Sequence, residues 1–181
     1  MKTTLLALLT VCCLLPCKAQ TDRIRLDGVW SLSLDSAHYN YFIQFPGTTD
    51  EAGVGEKHKM GTPLYIGKNE TWQLAREFVH VGPAWYQREI YIPKDWVGKR
   101  LLLSMERCMW QTRLWVNGRY VGEDHSLCVP HQYDVTDYMI AGKNIVRLCI
   151  DNSPYVHLGS WSHGYSAGIQ TVWNGVVGDM Y

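Results

Sequence analysis

The chain has 181 residues and carries 17 basic against 17 acidic side chains, a formal net charge of zero at pH 7. With no basic stripe to neutralise phosphates, nucleic-acid binding is excluded as a reading. No apolar run after residue 15 approaches the roughly 20 residues a membrane-spanning helix needs, so no transmembrane segment is expected.

Met1-Lys2-Thr3-Thr4 supplies a positive start, and Leu5 to Leu15 is an apolar run of signal-sequence length. Cys17 and Ala19 are small residues at the positions a signal peptidase reads, which predicts a signal peptide over 1–19 cleaved after Ala19. A lipoprotein anchor on Cys17 is the alternative, although Leu14-Leu15-Pro16-Cys17 has Pro where a small residue is usual. Either way the expected location is periplasmic or extracellular. Loss of Lys2 and Lys18 leaves 15 basic against 17 acidic residues, a net charge of −2. Residues 20–181 have the size of one domain, able to bury a core without disulfide staples.

Along that domain, Leu26 to Asp35 ends in period-two alternation with Trp30, Leu32 and Leu34 on one face, a first strand. Phe45 to Pro63 is rich in Gly, Pro and polar residues and reads as a long loop. Thr71 to Val79 and Trp85 to Ile92 have strand composition, the second stopped by Pro93. Lys94 to Lys99 is a turn into an apolar strand over Arg100 to Met105.

Thr112 to Gly122 is the clearest element. Two strands meet at Asn117-Gly118, a pair that tolerates the positive φ of a type I′ hairpin turn. Leu114 and Val116 alternate with Arg113, Trp115 and Asn117, although Trp115, like Trp30, is most simply placed in the core by its size. Pro130 to Thr136 is a short strand leading to a helical turn at Asp137 to Ile140. Ile145 to Asp151 alternates, with Val146, Leu148 and Ile150 facing one way. Asn152 to Ala167 is a second long loop, and Thr171 to Met180 closes as a strand with a bend or bulge at Asn174-Gly175. About eight to ten short strands at this spacing, with no amphipathic helix, predict an all-β jelly-roll β-sandwich.

Several patterns that could carry chemistry fail on context. Gly164-Tyr165-Ser166-Ala167-Gly168 matches a nucleophile elbow, which needs a strand before the Ser and a helix after it. Here a loop precedes and a strand-like run follows, so the match is coincidental and Ser166 should not label with a fluorophosphonate. Glu89, Glu106, Glu123, Asp124, Asp134 and Asp137 could supply paired carboxylates for glycoside hydrolysis. Nothing brings two of them together, and solvated or ion-paired roles are expected.

Seven histidines form no ligand pair, no C-x-x-C is present, and a charged loop accounts for Asp35, Asp50 and Glu51 better than calcium does. No metal and no cofactor is therefore expected. Asn69-Glu70-Thr71 is a formal glycosylation sequon. Cys108, Cys128 and Cys149 leave two readings open: one disulfide with a spare thiol, or three small buried hydrophobes.

Eight tryptophans and eleven tyrosines against three phenylalanines favour aromatics with a polar handle. Trp161, His163 and Tyr165 alternate within the second long loop, and Trp85 follows Gly82-Pro83-Ala84. These four are the candidate substrate-binding residues, by stacking on sugar rings. The other reading is that they wedge their loops onto the sheet.

An ordered series of motifs then identifies a resemblance. Leu26-Asp27-Gly28-Val29-Trp30, Gly82-Pro83-Ala84-Trp85-Tyr86-Gln87-Arg88, Ile92-Pro93, Met105-Glu106-Arg107, Leu114-Trp115-Val116-Asn117-Gly118, Tyr133-Asp134-Val135-Thr136 and Gly142-Lys143-Asn144 occur in turn. Together they resemble the N-terminal sugar-binding domain of family 2 glycoside hydrolases, the β-galactosidase, β-glucuronidase and β-mannosidase group. The ending from Gln170 to Gly178 and the signal peptide look like members secreted by Bacteroides-type bacteria.

The resemblance implies a jelly roll packed beside an immunoglobulin-like domain and a (β/α)8 barrel, both absent from this chain, with the catalytic glutamates on the barrel. None of the glutamates here matches them, so no catalytic residue is expected in this chain. Family members lend a polar, often acidic, side chain to the active-site rim from the loop before the last strand. In this sequence that loop is Ser160 to Ala167, where His163 is the nearest polar candidate and no carboxylate stands. The expected partners are carbohydrate and the catalytic barrel of the same or a longer polypeptide. The alternatives are a freestanding carbohydrate-binding module and a purely structural β-sandwich interaction domain.

Overall fold

The structure, a computed structural model, describes residues 22–57, 76–154 and 172–181. Its strands are β1 (Gly28–Ser33), β2 (Tyr41–Phe45), β3 (Gly47–Thr48), β4 (Glu56–Lys57), β5 (Phe78–Val79) and β6 (Pro83–Ile92), then β7 (Leu102–Cys108), β8 (Gln111–Val116), β9 (Arg119–His125), β10 (His131–Asp134), β11 (Gly142–Asp151) and β12 (Gly175–Met180). They form a six-stranded sheet ordered β2-β1-β6-β11-β8-β9 and a four-stranded sheet ordered β10-β7-β12-β3, every pairing antiparallel. β4 and β5 make a separate small ribbon. Among the described residues the one helical piece is a 3-10 turn at Lys94–Trp96.

Alternation builds the core. Trp30 and Leu32 of β1, Ala84 and Tyr86 of β6, Leu114 and Val116 of β8, and Val146, Leu148 and Ile150 of β11 are all fully buried on the inner face. Met105, Val176 and Met180 oppose them from the smaller sheet. Trp30, Phe45 and Tyr86 stack in sequence, ring centroids 5.6 and 5.0 Å apart. The Leu26 to Trp30 motif is a brace: Trp30 Nε1 donates to the Leu26 carbonyl, and Arg88 Nη1 donates to the carbonyls of Leu26 and Asp27. Gly28, at φ 117°, sits against that guanidinium, where a Cβ would meet Nη1 at 3.3 Å.

The hairpin has the expected turn, with Asn117 at φ 52° and Gly118 at φ 79°. Asn117 does more than turn the chain. Its amide donates to the Tyr138 carbonyl and to Asn144 Oδ1, and its Oδ1 accepts from Ile145 N–H, tying the hairpin tip to the start of β11.

Several expectations need correction. The stretch from Phe45 to Pro63 contains β3 and β4, because Gly47 and Thr48 pair with the first residues of β12. Within 71–79 only Phe78–Val79 is strand among the described residues. The last strand starts at Gly175, whose absent side chain lets the Gly47 carbonyl approach, and the register shift falls between Val177 and Met180 rather than at Asn174-Gly175. Trp115 is not in the core: alternation outweighs size and puts its ring, half-buried, on the outer face. Cys108 and Cys149 are buried but Cys128 is exposed, and all three are free thiols.

Candidate functional site

The 155–171 segment lies outside the described residues, and with it Trp161, His163, Tyr165 and the Ser166 pattern; the 69–71 sequon lies outside them too. The residues on either side of 155–171 are described, and they are tightly tied. Asn152 and Asn174 are 2% and 0% exposed. Asn152 Nδ2 donates to the carbonyls of His80 (2.9 Å) and Trp173 (3.1 Å), while its Oδ1 accepts from Gly82 N–H at 2.8 Å. Asn174 Nδ2 donates to the carbonyls of Gly82 and Ile150, both at 3.0 Å, and its Oδ1 accepts the Tyr86 hydroxyl at 2.6 Å. A buried amide with all its groups paired is a stabilising cross-link, because orphaning any partner would expose the full desolvation penalty. These two join the end of β11, the start of β6 and the approach to β12 at one end of the sandwich.

Trp110 covers the same end. Its indole N–H donates to the Ser153 carbonyl at 2.8 Å, and it packs with Met109, Val172 and Trp173 in a cluster separate from the main core. Its backbone N–H reaches the Asp151 carbonyl, and its carbonyl accepts from Ser126 N–H. At the start of β6, His80 Nε2 donates to the Pro83 carbonyl across 3.3 Å. Burial lowers the His80 pKa below the ordinary imidazole value. Arg76, 5% exposed, has its pKa lowered chiefly by burial, partly offset by the charge of Asp50. Asp50 itself accepts from Phe78 N–H at 2.7 Å.

Beneath this end the core holds a polar relay. His131 Nε2 donates to the Ser126 carbonyl at 3.0 Å, and Thr112 Oγ1 lies 2.5 Å from His131 Nδ1 and 2.6 Å from the Tyr133 hydroxyl. Tyr133 also donates to the Thr112 carbonyl, and burial pushes its phenol well above the usual range. Thr112 and His131 are fully buried and Tyr133 nearly so, which makes this a structural network linking β8 to β10.

At least four of the six carboxylates that could have carried glycosidic chemistry have partners within the sandwich. Glu89 pairs with Lys143 at 3.1 Å, Glu123 with His125 at 3.5 Å, and Asp134 with Arg100 at 3.0 Å. Glu106 Oε2 accepts from Asp179 N–H at the β12 bulge. Asp35 caps the Ser36 to His38 turn, and the Glu51 carboxylate accepts from Thr48 N–H. What the described end of the sandwich offers is a rigid frame with aromatic walls.

Trp85 is not on a sheet edge. It lies near the start of β6, a central strand, half-buried on the outer face, with the Arg147 guanidinium carbon 4.4 Å from its ring centroid. The structure therefore places Trp85 among arginines one row from the loop end. Sequence reasoning missed the two asparagines, Trp110 and the arginines around Trp85. Asn152 and Asn174 flank a long loop, which is the one signal that could have marked them.

The two antiparallel sheets, closed at one end by the buried Asn152 and Asn174, define the class: a jelly-roll β-sandwich domain. The model of the family described as glycosyl hydrolases family 2, sugar binding domain, matches residues 24–175, and the chain belongs to that family. A β-glucuronidase of Paenibacillus borealis is 28% identical over 91 residues, covering 50% of this chain and 15% of that protein. A β-galactosidase of Streptococcus thermophilus is 22% identical over 140 residues, covering 73% and 13%. Among solved structures, a β-glucuronidase of Lactobacillus rhamnosus superposes with a TM-score of 0.54 at 18% identity, over 74% of this chain and 22% of that one. That likeness is one of fold. The chain thus spans less than a quarter of the length of each of these proteins.

Proposed function

We propose that this domain is the front, sugar-binding piece of a secreted β-glycosidase, packed against a catalytic barrel whose substrate rim it completes. The observation that carries the reading is the pair of buried amides, Asn152 and Asn174, which fix both approaches to 155–171 on one frame. Trp161, His163 and Tyr165 of that segment are the sugar-contacting residues in this reading, with His163 as the polar contribution to the rim. The whole protein's reaction is hydrolysis of a β-linked sugar with retention, by two carboxylates about 5–5.5 Å apart supplied by the barrel. The ion-paired state of Glu89 and Asp134 and the backbone-bonded state of Glu106 support leaving that chemistry to another domain. The compartment is periplasmic or extracellular, after cleavage following Ala19.

The test is glycan-array binding together with hydrolysis of nitrophenyl β-glycosides by the purified chain. Binding of β-linked saccharides that weakens in Trp161→Ala at unchanged melting temperature, with no hydrolysis, is the expected result. Turnover by this domain alone, abolished by changing one of its own acidic residues, would overturn the reading.

A further inference from the structure

One row in from the loop end, the outer face of the six-stranded sheet holds a second constellation. The register sets Trp85 beside Cys149 and Cys149 beside Arg113; in the next row Arg147 stands beside Trp115 and Trp115 beside Tyr120. Two indoles and two guanidinium groups therefore alternate around Cys149, which is fully buried. The Trp85 and Trp115 centroids are 5.2 Å apart, and both guanidinium carbons lie over Trp85, Arg147 at 4.4 Å and Arg113 at 5.9 Å.

Neither arginine has a carboxylate among the described residues. Arg147 donates to the Ser36 carbonyl at 2.7 Å, and Arg113 makes a long contact of 3.5 Å to Cys149 Sγ. Glu123 stands opposite Arg113 in the register, but its carboxylate lies 3.5 Å from His125 Nε2 and forms no ion pair with Arg113. The Nε atoms of both arginines are buried with no hydrogen-bond partner, and the Arg147 guanidinium carbon also lies 6.0 Å from the Tyr39 ring centroid. Two partly desolvated cations side by side repel each other, and an oxyanion between their terminal Nη groups relieves that repulsion. Guanidinium forks suit a planar carboxylate, which they can bind through two parallel hydrogen bonds.

The neighbours narrow the ligand. Tyr120, 48% exposed, extends the aromatic wall beside Trp115, a surface that accepts the apolar face of a ring. Glu123 at one side and Asp35, bonded to Ser33 at the other, would repel a string of negative charges but tolerate a single one. We propose that Arg113 and Arg147, with Trp85, Trp115 and Tyr120, form a binding site for a carboxylated sugar, a uronate unit of an acidic glycan. The proposal rests on the carbohydrate-binding reading above and adds a second place and a charge class to it.

The test follows the arginine Nε–H and indole N–H resonances by NMR during titration with glucuronate, with glucose as the neutral counterpart and tetraglutamate as the acidic non-sugar. Glucuronate should shift the Arg113, Arg147, Trp85 and Trp115 signals saturably, with a Kd of about 1 mM or tighter. Glucose should bind at least about tenfold more weakly, and R113Q and R147K should each weaken glucuronate about tenfold, since a lost charge-assisted bond or fork is of that order. Selectivity of the wild-type chain decides the matter if either variant fails to fold. Equal responses to glucuronate and glucose, tighter binding of tetraglutamate, or no saturation would each overturn the proposal. A silent patch alongside glycan binding that Trp161→Ala weakens would remove this site while leaving the loop-end reading intact.

Discussion

Asn174→Ala removes the amide that holds together three segments of chain at the loop end. The residue is fully buried, and its side chain bonds the Gly82 and Ile150 carbonyls and the Tyr86 hydroxyl. Each buried group left unpaired costs about 1–3 kcal/mol, although water entering the space left by the amide recovers part of that. A net loss of about 3–5 kcal/mol follows, a large share of the roughly 5–15 kcal/mol that stabilises a typical domain. At about 2–4 °C per kcal/mol for a domain of this size, the melting temperature should fall by about 10 °C.

Urea unfolding followed by tryptophan fluorescence measures the loss, with calorimetry for the melting temperature. Asn174→Asp is the sharper control, because it keeps the shape but replaces two donors with a buried charge, and it should cost more than Ala. A double-mutant cycle with Tyr86→Phe isolates the Oδ1 bond and should return a coupling of about 1 kcal/mol. A loss below about 1 kcal/mol for Asn174→Ala would refute the claim that this side chain braces the site.

Three other outcomes are expected. Asp134 is held down to about 2 by the Thr136 hydroxyl first and Arg100 next. With an unfolded value of about 3.9, its stabilising contribution is present above about pH 4 and is lost as pH falls through about 2. Carboxyl NMR titration should show this, with Thr136→Ala returning the midpoint toward the unfolded value. Of the three thiols, only exposed Cys128 should alkylate at pH 8 under native conditions, since burial pushes Cys108 well up and Cys149 up to about 11. Residue-resolved mass spectrometry checks it, and rapid native labelling of Cys149 would contradict the covered face. Gly118→Val should cost about 1–2 kcal/mol in urea unfolding, because a β-branched residue is strained at φ 79°.

The family resemblance and the all-β architecture were legible because their signals are local. Asn117-Gly118 between alternating runs gives a hairpin whatever surrounds it, and Pro93 ends β6 where a ladder cannot continue. The long loops were less readable. The Gly47-Thr48 pair becomes a strand only because β12, more than a hundred residues later, arrives beside it. Trp115 shows two sequence signals in conflict, size pointing inward and alternation outward, and the pleat decided.

What the sequence determined by itself was which residues share a face of each strand, since side-chain period and turn chemistry act over a few residues. Which faces meet was decided only in three dimensions. Trp85, Arg113 and Arg147 come from three strands widely separated along the chain, and their meeting over Cys149 follows from pairing register. The same holds for Asn152 and Asn174, which in the sequence are two polar residues beside a loop. They brace one end of the fold because the backbone groups they satisfy are brought there by β6, β11 and β12.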